Sequence, residues 1–269
     1  MLELRSLCIP SIFLFACGAA LADDADEYRE KLVTRSTPTW SVVGSLEGTY
    51  IDNAFFAPSG REGDFYVGPD VSIRLDGELT GEISYRVYAR FEADAFSELT
   101  DANTSVARVG VRLSRPLGEW TASLAYENRY AYDGIFEDRA FTGHDVNLAA
   151  ARDVDLGCAI LSPGGLITYR HSDLAEANRF RLELWLGIEV PIDSKWSVVS
   201  EPFFEAFWFT EGLNSGRQDQ IYSASLGLKY NLSDNASLTT EAVYEGRTSN
   251  QAGRDFEVLE IGPRLDFAF

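Results

Sequence analysis

Residues 259–269 read Leu-Glu-Ile-Gly-Pro-Arg-Leu-Asp-Phe-Ala-Phe. Leu259, Ile261, Pro263, Leu265, Phe267 and Phe269 fall on one phase, and Glu260, Gly262, Arg264, Asp266 and Ala268 on the other. Successive side chains of a strand point to opposite faces, so this is a strand with one apolar face and one polar or small face. Working back, the same period recurs. Tyr222, Ala224, Leu226, Leu228, Tyr230 and Leu232 alternate with Ser223, Ser225, Gly227, Lys229 and Asn231. Phe180, Leu182, Leu184, Leu186, Ile188 and Val190 alternate with Arg181, Glu183, Trp185, Gly187 and Glu189. A soluble sandwich also alternates, so the period alone leaves two fold classes open.

The connections separate them. Short, tight turns are expected near Thr80-Gly81, Pro116–Glu119, Arg152–Asp155, Ile192–Lys195 and Leu232–Asn235. They recur roughly every 36 to 40 residues, the length of two spanning strands and one longer loop. Between them lie polar stretches expected to be loops: Ala57–Gly63, Ser97–Asn103, Asp133–Gly143, His171–Asn178, Glu211–Asp219 and Thr248–Arg254. Short connections at one end and long ones at the other predict an antiparallel up-and-down transmembrane β-barrel of about twelve strands, with both termini in the periplasm. The aromatic residues agree. Trp40, Trp120 and Trp196 stand at the starts of strands at one end, and Tyr50, Phe65, Tyr132, Trp208 and Tyr222 at the other, as two headgroup-level bands require.

With the strands in place, Leu265-Asp266-Phe267-Ala268-Phe269 resembles the closing strand of bacterial outer-membrane proteins. The resemblance is architectural, covers the chain from Trp40 onward, and points to no single member. It implies that Phe267 and Phe269 belong to the signal read by the barrel-assembly machinery. It also implies outer-membrane lipid and lipopolysaccharide as surroundings.

The 269 residues carry 42 acidic and 23 basic side chains, a net charge of −19. That balance argues against nucleic acid as a partner, because phosphate neutralisation needs clustered Lys and Arg. The first 22 residues read as a cleaved secretory signal: Arg5, an apolar run from Leu7 to Ala16, and Ala20-Leu21-Ala22 before Asp23. A lipoprotein signal with Cys17 as the acylated residue is the alternative, and Phe15 fits it poorly. Removing Cys8 and Cys17 leaves Cys158 alone, so no internal disulfide is expected. Residues 23–39 form a charged periplasmic segment, read as a tail in preference to a plug of the kind found in autotransporter translocators. The barrel occupies 40–269.

Charges that do not face lipid must face the lumen. The earlier strands contribute Arg74, Arg86, Arg90, Arg108, Arg112 and Arg129, and the later ones Glu183, Glu189, Glu201, Glu205, Glu241, Glu245 and Glu260. Asp70, Glu92, Asp94 and Glu127 among the first, and Arg181, Lys229, Arg247 and Arg264 among the second, make the segregation partial. Two opposing walls would place a transverse field across a hydrated constriction, that of a porin-like channel for passive diffusion of small hydrophilic solutes or ions. The bland alternative is a filled, non-conducting barrel that presents surface loops or serves an export or assembly system.

A lipid hydrolase is the third reading. His171-Ser172-Asp173 lacks the two-residue His–Ser spacing of outer-membrane phospholipases, and adjacent strand residues face opposite ways. Asp52-Asn53-Ala54-Phe55-Phe56 loosely resembles the early acidic motif of lipid A deacylases, with Asp and Asn reversed, and such a reading would combine His144 with Asp52 and Asn53. No catalytic residue is assigned. The acidic loop residues Glu98, Asp101, Asp133, Glu137 and Asp138 suit divalent cations or plain solvation. No zinc spacing, phosphate-binding glycine loop or dinucleotide fingerprint occurs, so no metal or cofactor is expected.

Overall fold

The computed structural model describes Tyr28 and residues 37–269. The expected signal peptide and most of segment 23–39 lie outside the described residues. Twelve long strands follow: β1 (Thr39–Ile51), β2 (Asp64–Thr80), β3 (Ile83–Phe96), β4 (Thr104–Leu117), β5 (Trp120–Asp133), β6 (Asp138–Ala151), β7 (Ile160–Ser172), β8 (Arg179–Pro191), β9 (Trp196–Phe209), β10 (Gln218–Ser233), β11 (Ala236–Ser249) and β12 (Phe256–Ala268). Each pairs antiparallel with its chain neighbours. The sheet closes where β1 meets β12, with Leu46 opposite Leu265 and Tyr50 opposite Ile261. The result is a closed up-and-down barrel without a free edge.

Binary patterning sets which face is which. Val67, Ile73, Val109, Val111, Leu124, Leu148, Ile167, Leu184, Leu226, Leu259 and Ile261 are exposed on the outer surface, while Arg86, Arg112, Glu183, Glu205 and Glu245 are buried inside. This inversion of the soluble pattern is stable only when the outer face meets lipid. Prolines fit the ladder by interrupting one side of it. Pro69, Pro202 and Pro263 keep partners in Leu46, Ala224 and Thr240, whereas the opposite ladder skips each of them.

The connections differ from expectation in length. The strands run 13 to 17 residues, longer than the roughly 9 to 11 that a bilayer core needs. Several expected loops are therefore strand ends projecting above the membrane. Expected loop Asp133–Gly143 shrinks to a tight hairpin between Asp133 and Asp138, which face each other in the ladder. Gly134 takes a left-handed φ of 78°, Phe136 one of 59°, and Ser105 Oγ accepts from Phe136 N and donates to Gly134 O, both at 3.0 Å. Conversely, the turn expected at Arg152–Asp155 is a wider connection, in which Val154 and Asp155 pair with Leu161 and Ile160. The Ile192–Lys195 turn is as expected, with Asp193 Oδ1 accepting from Lys195 N at 2.7 Å and Trp196 N at 2.9 Å. These two donors hold its carboxyl below the usual carboxylate range.

Candidate functional site: a lumen with a packed wall and an open wall

All thirteen charged residues expected to line the channel sit on the inward phase of their strands, and the structure sorts them into two groups. Arg86, Arg108, Arg112, Glu183, Glu205 and Glu245 are buried in packing, the last of them on β11, and Arg129 is partly buried beside Asp145. Arg74, Arg90, Glu189, Glu201, Glu241 and Glu260 border open volume.

Most of this packing follows the wall from β2 to β9, where Asp70, Arg90 and Glu92 also border the cavities. Directly opposed and diagonal cross-strand positions bring side chains within reach, and the pairings use both. Arg86 forks onto Asp76, its direct partner, at 2.7 and 2.9 Å. Arg90 forks onto Asp70 at 3.0 and 2.9 Å, and Glu92 receives Arg90 at 2.9 Å and Arg108 at 2.8 Å. Asp145 takes a fork from Arg170 at 2.8 and 2.7 Å and lies 3.6 Å from Arg129. Arg181 reaches Glu183 at 2.7 Å and Glu205 at 3.4 Å. Neutral links join these pairs. Tyr88 donates to Glu127 at 2.6 Å, Asn147 to Glu127 at 3.3 Å, and Thr168 to Asn147 at 2.7 Å. Tyr88 lies across Gly110, where a Cβ would come within 2.6 Å of its ring. The transverse field expected between an Arg wall and a Glu wall is thus shortened into local pairs. The reason is energetic: a buried guanidinium is tolerated only beside a carboxylate, and the nearest lies on the same wall.

Sequence reading placed the segment containing Tyr28 outside the barrel. Its ring instead lies inside, buried against Ala125, Ala149, Leu166, Trp185 and Phe203, with the Arg112 guanidinium 5.1 Å from the ring centre. The apolar members of this niche share inward phases with charged residues, so nothing in the strand pattern announced it.

The rest of the lumen is open, and its cavities are bordered by every strand except β5 and β6. Here inward positions carry Ser45, Gly68, Ser225, Ser237, Thr239 and Gly262, and a cavity of about 910 Å³ runs beside them. A second cavity of about 560 Å³ reaches the turn between β10 and β11. The two share Ser45, Asp70, Lys229, Ser237, Arg264 and Asp266. The larger is bordered by the carboxylates of Glu47, Asp70, Glu92, Asp94, Glu189, Glu201, Glu241, Glu260 and Asp266, and by two cations, Lys229 and Arg264. Lys229 pairs with Glu189 at 3.2 Å, and Arg264 with Asp266 at 3.1 Å and Glu241 at 3.7 Å. The cavity is therefore acidic.

The first loop roofs the cavity at the far end. Ile51, Ala54, Phe56, Tyr66, Phe96, Leu99, Ala102, Phe256 and Val258 pack together there. Asn53 fixes the loop by donating to Ala57 O at 2.9 Å and Glu257 O at 3.0 Å, and by accepting from Ala57 N at 2.9 Å. Asp52 accepts from Leu259 N at 2.7 Å. Asp64 gathers the second loop, accepting from Glu98 N and Leu99 N at 2.8 Å and from Ser97 Oγ. Sequence named Asp52 and Asn53 only as part of a hydrolase motif and did not find Asp64, because the partners are mainly backbone groups that the fold brings together.

His144 and His171 are directly opposite each other on β6 and β7, both exposed on the outer face, and His144 Nδ1 lies 2.7 Å from Tyr126 Oη. Ser172 is buried on the inner side, and β6 lies five strands from the β1 end that carries Asp52 and Asn53. Neither histidine is assembled with the residues expected beside it. Among the described residues, no group of three or more His, Cys, Asp or Glu side chains is arranged to hold a metal ion. Trp40, Trp120 and Trp196 point outward at the turn end, the last tilted against Tyr230 with ring centres 4.6 Å apart. Trp208, Tyr222 and Tyr132 point outward toward the loop end. Phe267 and Phe269 close β12, their ring centres 5.9 Å apart.

No family model matches the chain, and no curated protein matches it. Solved structures do. An outer membrane channel from Pseudomonas putida F1 aligns over 87% of this chain and 97% of its own, with TM-score 0.55 and 10% identity. The anion-selective porin from Comamonas acidovorans aligns over 87% and 100%, with TM-score 0.45 and 12% identity. The NanC porin aligns over 83% and 98%, with TM-score 0.47 and 10% identity. At such identities the likeness is one of fold: a twelve-stranded barrel of the outer-membrane kind. That fold implies residence in a bacterial outer membrane.

Proposed function

We propose that the barrel is a passive channel for small hydrophilic solutes and ions, conducting along its open wall with a preference for cations. The observation that carries this reading is the pair of adjoining cavities, which share six lining residues and extend from the turn end to beneath the first loop. Their carboxylate excess supports the charge preference, since an acidic, low-dielectric passage concentrates cations. In this reading the turn end faces the periplasm, together with the start of β1 and the C-terminus. The outward aromatic bands sit at the headgroups of outer-membrane lipid and lipopolysaccharide, and the assembly machinery engages the Phe267–Phe269 end during insertion.

Single-channel recording of the refolded protein in a planar bilayer, with a salt gradient to give the reversal potential, tests the proposal. Stable steps with cation preference are expected. Glu241→Gln with Glu201→Gln should lower that preference roughly two- to fivefold. A silent bilayer from protein shown to be folded would overturn it.

A further inference from the structure

The Tyr28 niche is unlike the rest of the lumen. A water-filled barrel gains nothing by placing apolar side chains inward, yet Leu166, Trp185 and Phe203 converge there over a floor formed by Ala125 and Ala149. The floor is shaped for an aromatic ring. Gly164 lies under the Trp185 indole, where a Cβ would fall 2.2 Å from the ring, so the indole lies flat only because that position is glycine. Tyr28 is 4% exposed although its sequence neighbours, Asp26-Glu27 and Arg29-Glu30-Lys31, are all charged. The Arg112 guanidinium covers the ring at 5.1 Å, a cation–π contact in a desolvated site. Thr39, where β1 begins, stands on the far side of the barrel from β7, and the eleven Cα–Cα steps that link it to Tyr28 span at most ~36–40 Å when extended. That reach is ample for a barrel of this size.

We infer that the niche between β5 and β9 is a docking site for the chain's own Tyr28, which tethers the N-terminal end of the mature protein inside the barrel. The docked ring completes the packed wall and leaves the open wall for solute. The docking itself does not depend on the channel reading; only its effect on conductance does.

The test uses full-length protein carrying Cys158→Ser, so that introduced thiols are the only ones in the mature chain. With Tyr28→Cys alone, modification by a small thiol reagent in folded, membrane-inserted protein should be roughly tenfold or more slower than with Asp234→Cys at the turn end, because the thiol is reached only on local opening. Tyr28→Cys combined with Ala149→Cys should be joined by a short bifunctional maleimide into a species of altered gel mobility. Ala149→Trp fills the niche from the wall. In protein whose heat-modifiable mobility shows it folded, it should raise the reactivity of the Tyr28→Cys thiol to that of the turn-end site. Equal reactivity at positions 28 and 234 without crosslinking would overturn the docking while leaving the channel reading intact. A protected, crosslinked thiol at position 28 in a barrel that never conducts would uphold the docking and sink the channel. Where steps are seen, Tyr28→Ala should raise the unitary conductance by roughly 1.5-fold or less, because the ring leaves the niche while the ion-paired side chains of that wall remain.

Discussion

Two walls of one barrel, built from the same alternating strands, end in opposite states. From β2 to β7 the inward side chains are long: Arg86, Arg90, Arg108, Arg112, Arg129 and Arg170, with carboxylates interleaved. From β10 to β12 short side chains stand between the charged ones, with Ser223, Ser225 and Gly227 on one strand and Ser237 and Thr239 on the next. Twelve strands enclose a lumen between the filled eight-stranded barrel and the open sixteen-stranded porin. At that intermediate width, side-chain length decides locally. Arginines reach one another's carboxylates and exclude solvent; serines and glycines are too short to cross the lumen and leave space. Filled and open are thus properties of a wall more than of a strand number.

The comparison can be broken most severely at Asp145, which holds Arg170 and Arg129 together while almost wholly buried. Asp145→Ala leaves two guanidinium groups without their carboxylate and should destabilise the barrel by about 3–5 kcal/mol, read as a lower urea midpoint for unfolding from detergent or lipid. Unchanged stability would mean that the packed wall owes its order to something other than paired charge. The open wall predicts the reverse pattern. Ser237→Trp places a large side chain where both cavities meet. It should cut unitary conductance roughly twofold or more while shifting stability by about 0.5 kcal/mol or less.

The smallest effect belongs to the turn between β8 and β9. Asp193 accepts two backbone N–H groups, and its carboxyl is held below the ordinary value. A depressed folded-state pKa stabilises the turn above the unfolded value, near pH 4 for an aspartate, and that contribution is lost as pH falls through the folded value. Amide exchange at Lys195 and Trp196 should therefore lose protection on acidification below about pH 4 after correction for the intrinsic rate, and Asp193→Asn should abolish that dependence.

How legible the lumen was depends on the range of the interaction involved. The inward phase of Arg90 and Glu241 is a property of their own strands, so alternation alone assigned it. That Glu92 bridges Arg90 and Arg108, or that Asp145 serves Arg129 and Arg170, depends on register between strands, which no single strand encodes. Loop lengths were overestimated where strands outlast the bilayer. Asp138–Gly143 is polar because it stands above the membrane, and polarity reads as loop until the ladder to β5 is seen.

The sequence by itself determined a barrel. Period-two alternation, turns at regular spacing, aromatic bands and the terminal Leu-Asp-Phe-Ala-Phe are local signals, and in lipid they leave the backbone no alternative to closing its sheet. Which parts of the lumen are full was decided only in the tertiary structure. Closure sets β1 across from β7, brings Tyr28 to Phe203 and Trp185, and packs Asn53 against the backbone of Glu257. The physical reason is that alternation specifies a face, whereas packing specifies a neighbour, and neighbours across a lumen exist only once the sheet has closed.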